Sequence, residues 1–246
     1  MKNKLKNVFF VFFIFPAMIW SDEISQRQYY ICNRVSDKII IDGKIDEPAW
    51  KIANEMEMIT IISLDKPESG TKIYSLYDDK YLYFAFICYD KDIWATYTRR
   101  DSELWLEDTV EIFFKPNISK NSYYEIQISA SNVKLDAFLA NNNRPGNMFK
   151  RFTQWNCPGL KSAVKIKGTL NKWDDVDELW TCELAIPFKD LPSVEKFPKK
   201  GDVWLFNVTR YDYSVYLPKG VEVLSFSPIK KLEFHDFEQW ALLKFN

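Results

Sequence analysis

A chain of 246 residues with 33 Lys and Arg against 34 Asp and Glu carries a formal charge of −1. It is long enough for a sizeable hydrophobic core and has no basic field to hold nucleic acid or an anionic membrane. A single histidine, His235, excludes HExxH zinc sites and multi-histidine metal centres, and no GxSxG, GxGxxG or phosphate-binding glycine loop is present.

The N-terminus "MKNKLKNVFFVFFIFPAMIWSDE" sets Lys2, Lys4 and Lys6 before an apolar run from Val8 to Ile14, then Pro16, Ala17 and Ser21. This reads as a secretory signal peptide over 1–21, too short for a stop-transfer helix. It leaves 22–246 as one exported domain, bound for the periplasm, the cell surface or the medium, with no later run able to span a bilayer. In such a compartment Cys32, Cys88, Cys157 and Cys182 admit three disulfide pairings, and buried free thiols are equally compatible with the strand-like runs around Cys88 and Cys182. Their spacing fits no CxxC or zinc pattern.

Aromatic residues make up 17% and glycines number seven, which suits pleated β-structure. In chain order, strands are expected over 38–43, 71–79, 81–90, 108–116, 122–130, 133–140, 160–170, 179–187, 202–212, 221–228 and 239–245, many divided by Asp, Asn, Pro or Gly turns. A helix is expected over 46–56, with Asp46 as N-cap and Pro48 in the first turn, and "PFKDL" suits one further turn. The pattern predicts an all-β fold, a β-sandwich of about ten strands with one or two short helices.

The acidic loops "YDKDIWAT" (89–96) and "KWDDVDE" (172–178) read either as solvated turns or as oxygen donors for calcium, without EF-hand spacing. More telling is "DSELWLEDTVEIFF", residues 101–114, which puts Trp105 among acids just ahead of a strand. Period-2 alternation sends Val110, Ile112 and Phe114 to one face and Glu111 to the other. In "YYEIQISA", Tyr124, Ile126 and Ile128 likewise face inward, leaving Glu125, Gln127 and Ser129 opposite. If the two strands are neighbours, carboxylates and an amide lie beside Trp105. A flat ring for the C–H face of a pyranose and polar groups for its hydroxyls are what sugar recognition needs. A solvated outer face with a half-buried tryptophan is the plainer account.

Five segments, "IDGKIDEPAW" (41–50), 79–116, "YYEIQIS" (123–129), 159–188 and 207–245, together resemble the family 9 carbohydrate-binding modules and their family 9-like relatives in the DOMON-type (immunoglobulin-like) sandwich group. The resemblance implies a single β-sandwich that binds the ends of plant-type glycan chains, often with structural calcium. It places Trp105 on one side of a sugar slot and Glu111 six residues on. It assigns the closing aromatic to Phe226, where many relatives have the Trp of a "WSP" run, and sets Glu125, Gln127, Asn207 and Arg210 on the polar rim. Arg210 is equally open to reading as a buried ion-pair residue.

The resulting expectation is an exported, non-catalytic protein that binds xylan- or cellulose-type glycans, needs no cofactor beyond a possible structural Ca2+, and works beside a separately encoded glycan-degrading enzyme. Two alternatives stay open. One is a haem b electron-transfer domain with His235 and Met148 as axial ligands; the other is a glycan hydrolase using a carboxylate pair.

Overall fold

The computed structural model describes residues 27–140 and 153–246. Thirteen strands follow in chain order: β1 (Tyr29–Arg34), β2 (Met56–Glu57), β3 (Ile59–Thr60), β4 (Thr71–Tyr77), β5 (Tyr81–Tyr89), β6 (Thr109–Lys115), β7 (Tyr123–Ser129), β8 (Lys134–Leu139), β9 (Lys161–Lys167), β10 (Leu179–Pro187), β11 (Val203–Tyr213), β12 (Val221–Ser225) and β13 (Ala241–Phe245). The described helices are single 3-10 turns at Pro48–Ile52, Leu104–Leu106, Phe188–Asp190 and Phe237–Gln239. No helix among the described residues is long and apolar enough to cross a membrane. The signal-peptide expectation and Met148 fall outside the described residues.

Two layers make a β-sandwich. The first runs β8, β7, β6, β11, β13, β1, with β12 beside β11 and β3 beside β12. The second runs β4, β5, β10, β9, with β2 on β4. β1 joins them, because Tyr29 to Cys32 pair in parallel with β13 while Asn33 and Arg34 pair with β4. Between the layers, Val110, Ile112 and Phe114 of β6, Ile126 and Ile128 of β7, and Phe206 and Val208 of β11 meet Phe84, Phe86, Trp180 and Leu184 from the other sheet. Fully burying each such side chain contributes about 1.5–3 kcal/mol, and the strict alternation along β6 and β7 is what makes one inner face continuous.

Each sheet also carries apolar material on its outer face. Over the first, Phe113, Tyr123, Leu135, Leu205 and Leu242 are roofed by Ile229, Phe234, Phe237 and Trp240. Over the second, Val35, Ile39, Ala49 and Trp50 cover Leu76, Tyr83, Ala85 and Ala185.

That second cover corrects two expectations. Residues 38–43 form no strand. They cross the outer face of the second sheet, where Glu183 Oε2 accepts the Asp42 and Gly43 N–H groups at 3.1 and 2.9 Å and Glu183 Oε1 accepts the Trp50 indole N–H at 3.1 Å. A strand partner is thus replaced by one carboxylate. The expected 46–56 helix shrinks to the turn Pro48–Ile52 with Glu47, not Asp46, at its N-cap and β2 beginning at Met56. The Glu47 carboxylate is spent instead on the Ile40 N–H, at 3.0 Å. β1, not expected from the sequence, is the strand that changes layers.

All four cysteines are buried free thiols. Burial pushes Cys88 and Cys157 up to about 12, so they are inert core groups. His235 lies with its Nδ1 2.8 Å from the Tyr123 hydroxyl and its ring edge-on to Phe113 at 5.5 Å, tying the C-terminal roof to the sheet.

Candidate functional site

Pairing decides which polar side chains meet. β6 lies between β7 and β11, and Glu111 is opposite Gln127 on one side and Thr209 on the other. One step along the same face, Phe113 is opposite Glu125 and Asn207. Glu111, Glu125, Gln127 and Asn207 therefore share the outer face of the first sheet, and all four are buried beneath or beside its apolar roof.

Their bonding is incomplete. The Thr209 hydroxyl donates to Glu111 Oε2 at 2.5 Å, and Gln127 Nε2 donates to Glu125 Oε1 at 2.6 Å. Ser225 Oγ and the Ser227 N–H both donate to Asn207 Oδ1, at 3.1 and 2.9 Å. That leaves Gln127 Oε1 and Asn207 Nδ2 buried without partners among the described residues, one acceptor and one donor in a layer where each unmade hydrogen bond costs about 1–3 kcal/mol. Burial, then the neighbouring Glu125, raises Glu111 to about 8. Burial likewise raises Glu125 to about 7, against the Gln127 hydrogen bond. Neither carboxyl has an ion-pair partner among the described residues.

Trp105 sits in the 3-10 turn Leu104–Leu106 at the edge of this layer, half-buried, with its carbonyl accepting the Tyr213 hydroxyl at 2.9 Å. Tyr97, Tyr211 and Val223 join it as the partly exposed rim of the same apolar cluster. The turn is set by Glu107, whose Oε2 accepts the Thr96 and Tyr97 N–H groups at 2.5 and 3.1 Å. Asp108 adds to it by accepting the Trp94 and Tyr213 N–H groups at 2.5 and 2.7 Å. Two of the acids that crowd Trp105 in the sequence, Glu107 and Asp108, thus point to backbone N–H groups, and the ring packs half-buried at the edge of the apolar cluster.

Two expected site residues lie elsewhere. Phe226 is 5% exposed and belongs to the core between the sheets, with its ring 5.4 Å from Phe206. It keeps the parity of Leu224, whose side chain also faces that core, while Ser225 and Ser227 turn to Asn207. It cannot close a slot against Trp105 from the opposite face of the sheet. Arg210 also points inward. Its Nη2 bonds Asp90 Oδ2 at 3.1 Å and Asp212 Oδ2 at 2.9 Å, and its Nη1 bonds the Gly70 carbonyl and Thr71 Oγ1 at 3.2 and 2.9 Å. It is the buried ion-pair residue, three positions from Asn207 and therefore on the other face. Thr209 and Tyr211, absent from the sequence-derived site, are brought to it by β11, and the alternation Asn207, Thr209, Tyr211 along one strand was their signal.

Around Arg210, Asp90, Asp108 and Asp212 approach within 4.8 Å of one another, all buried. Calcium seeks six to eight oxygens. Here every carboxylate oxygen of the trio except Asp212 Oδ1 already accepts an N–H, from Asp92, Trp180, Arg210, Trp94 or Tyr213. Burial raises Asp90 to about 6 and Asp108 well above the usual carboxylate range. With Arg210 bonded to Asp90 and Asp212 and a single carboxylate oxygen left open among the three acids, the cluster does not fit the oxygen-rich shell that calcium needs.

A chain with this outer-face layer can be set beside known proteins. Solved structures of similar fold include a family 9 carbohydrate-binding module from Caldicellulosiruptor kristjanssonii in complex with cellotriose, at TM-score 0.58 and 14% identity over 89% of this chain and 94% of that one. A putative carbohydrate-binding protein from Bacteroides uniformis reaches TM-score 0.68 at 13% identity, over 90% of this chain and 100% of that one. Endo-1,4-beta-xylanase A of Thermotoga maritima is 38% identical over 88 residues, which is 35% of this chain and 8% of the xylanase. The corresponding Thermotoga neapolitana enzyme is 34% identical over the same length, so the match takes in only a small part of these relatives. The model of the "Carbohydrate family 9 binding domain-like" family matches residues 41–244, nearly the whole of the described sandwich, and the chain belongs to that family.

Proposed function

We propose that this chain binds carbohydrate without catalysis, taking a sugar unit of a β-linked plant-type glycan on the outer face of β6, β7 and β11. The observation that carries the reading is the set of unmet polar groups there. Among the described residues Gln127 Oε1 lacks a donor, Asn207 Nδ2 lacks an acceptor, and Glu111 and Glu125 lie beside them without an ion-pair partner. Sugar hydroxyls both donate and accept, so one ligand class answers all of these needs, whereas a metal would answer only the acceptors. Trp105 supplies the flat apolar surface at the rim, with Tyr97 and Tyr211 nearby.

The sugar chemistry is supported by family membership and by fold likeness to modules solved with cellotriose and with glucose. The likeness to xylanase sequences supports a role beside glycan-degrading enzymes. Export is supported by the N-terminal Lys-then-apolar pattern. The test is calorimetric titration with cello- and xylo-oligosaccharides. Trp105→Ala is expected to weaken binding about thirtyfold or more, the counterpart of a roughly 2 kcal/mol aromatic hot spot. A wild-type protein that binds none of the panel, or a Trp105→Ala protein that binds like wild type, overturns the reading.

A further inference from the structure

At one end of the sandwich three loops come together, residues 90–97, 171–178 and 214–220. They are stitched by Asp177 N–H to Lys91 O at 3.0 Å, Asn171 N–H to Ile93 O at 2.8 Å, Val215 N–H to Asp92 Oδ2 at 2.9 Å and the Tyr216 hydroxyl to Asp175 O at 2.9 Å. The same loops expose Trp94, Trp173, Val176, Val215 and Tyr216. Large apolar side chains left in water on converging loops mark a contact site. A cavity of about 330 Å³ opens there, lined by Tyr89, Asp90, Val176, Asp177, Asp212 and Tyr216 among others. That volume is at the small end of ligand sites and suits a single sugar ring.

Asp212, which lines this cavity, is 2% exposed. Arg210 holds its Oδ2, while its Oδ1 is buried without a hydrogen-bond partner among the described residues. Leaving such an oxygen unmet is costly, and a ligand can supply the missing donor. The need is for an N–H or O–H rather than for charge, because Arg210 already sits between Asp212 and Asp90. Asp177 offers no free oxygen, since its carboxylate accepts the Ile93 and Thr169 N–H groups at 2.8 and 2.6 Å. At the rim, Tyr89 and Tyr216 are 42% and 44% exposed. Phenol rings and Val176 give an apolar wall that suits the C–H face of a pyranose and gives a hydrated metal ion nothing.

We propose that this cavity is a second sugar-binding site, taking one pyranose unit of a neutral glycan, with a hydroxyl donated to Asp212 Oδ1 and the ring set against Tyr216 and Tyr89. The class of ligand rests on the carbohydrate-binding reading above, but none of these residues belongs to the sheet-face site. Cellotriose and xylotriose are titrated by calorimetry and ligand-observed NMR into wild type, Trp105→Ala, Tyr216→Ala and the Trp105→Ala/Tyr216→Ala double variant, each checked for folding by circular dichroism. Residual binding by Trp105→Ala is expected, and adding Tyr216→Ala, or separately Tyr89→Ala, should weaken that residue at least tenfold. The second site is refuted if Trp105→Ala abolishes all binding or if residual binding ignores both tyrosine substitutions. It is also refuted if the cavity takes up calcium and gives no sugar response. Binding that survives Trp105→Ala at full strength and is lost with Tyr216→Ala overturns the sheet-face site and keeps this one. The absence of all sugar binding in wild type overturns both.

Discussion

Phe226→Ala separates two places the ring could occupy. The structure puts it between the sheets, 5% exposed, 5.4 Å from the Phe206 ring, with its own N–H bonded to the Val208 carbonyl at 2.8 Å. Truncating a buried phenylalanine removes its transfer free energy and leaves a cavity, together about 3–5 kcal/mol. For a domain of this size each kcal/mol moves Tm by about 2–4 °C, so a fall of roughly 6–20 °C is expected. Because Glu111, Gln127 and Asn207 face the other way, sugar affinity measured well below the new Tm should stay within about twofold of wild type, less than the 1.4 kcal/mol that makes a factor of ten. Thermal unfolding followed by circular dichroism gives the first quantity and calorimetric titration the second. Trp105→Ala, half-buried at the rim, should show a smaller fall in Tm than Phe226→Ala and a large loss of affinity. A Phe226→Ala protein with unchanged Tm and lost sugar binding would refute the inward placement and, with it, the register of β12 on β11.

Three further outcomes follow from the geometry. Arg210→Met strands Asp90 and Asp212 without their guanidinium and should cost about 3–5 kcal/mol in urea unfolding at neutral pH, whereas an unchanged midpoint contradicts the ion cluster. Glu111 stands at about 8 when folded against an ordinary 4.5, and Glu125 at about 7. Stability from holding them protonated is full below the unfolded value and drains away as pH rises through the folded ones. Tm should therefore fall between pH 5 and 9, with a gentler slope for Glu111→Gln, and equal slopes sink the assignment. Gly43 has φ +85°, and a Cβ there would lie 3.0 Å from Lys165 Cγ and from the Val164 carbonyl carbon. Gly43→Ala should lower stability by about 1–3 kcal/mol in chemical denaturation, and no loss would mean residues 38–43 do not pack over β9 and β10 as described.

The parts of this fold that show in the sequence are those ruled by local alternation. In β6, β7 and β10 one face is buried in the main core, so the period of two survives in the residue order and the strands are legible. Residues 38–43 defeat that logic, because the turn at Asp42 and Gly43 that follows a run of isoleucines is held by Glu183 at a separation of some 140 residues, a bond no local pattern announces. The site divides along the same line. Glu111 and the pair Glu125 and Gln127 are placed together by alternation within β6 and β7. Asn207 joins them through the pairing of β6 with β11. The resemblance puts Phe226 at the slot and leaves Arg210 open between rim and ion pair, although parity is enough to turn both inward, since Arg210 is an odd number of residues from Asn207 on one strand and Phe226 is two from Leu224. A family correspondence that ignores which side of the sheet a position faces is overridden by the pleat.

The protein buries acids in two layers and treats them differently. Between the sheets, Asp90 and Asp212 share the Arg210 guanidinium, and Asp108 takes two backbone N–H groups, so the negative charge is met by groups fixed within the chain. That arrangement makes a rigid junction between β5, β11 and the loop carrying Trp105. On the outer face, Glu111 and Glu125 have only a hydroxyl and an amide for donors among the described residues, and the two carboxyls raise the cost of ionising one another. Packing alone does not account for this, because apolar side chains of similar volume would fill the same space beneath the roof without the desolvation cost. A buried layer that keeps two proton-retaining acids and, among the described residues, an unmet amide oxygen and an unmet amide nitrogen beside a half-buried tryptophan is what the proposed sugar site would use. It also ties ligand to pH. Hydroxyls that donate to the Glu111 and Glu125 oxygens favour their ionised forms, so sugar binding should release protons near neutral pH and tighten as pH rises from 5 toward 8. Proton release is read by titrating the oligosaccharide in buffers of different ionisation enthalpy, and an enthalpy independent of buffer would show that the two carboxyls take no part.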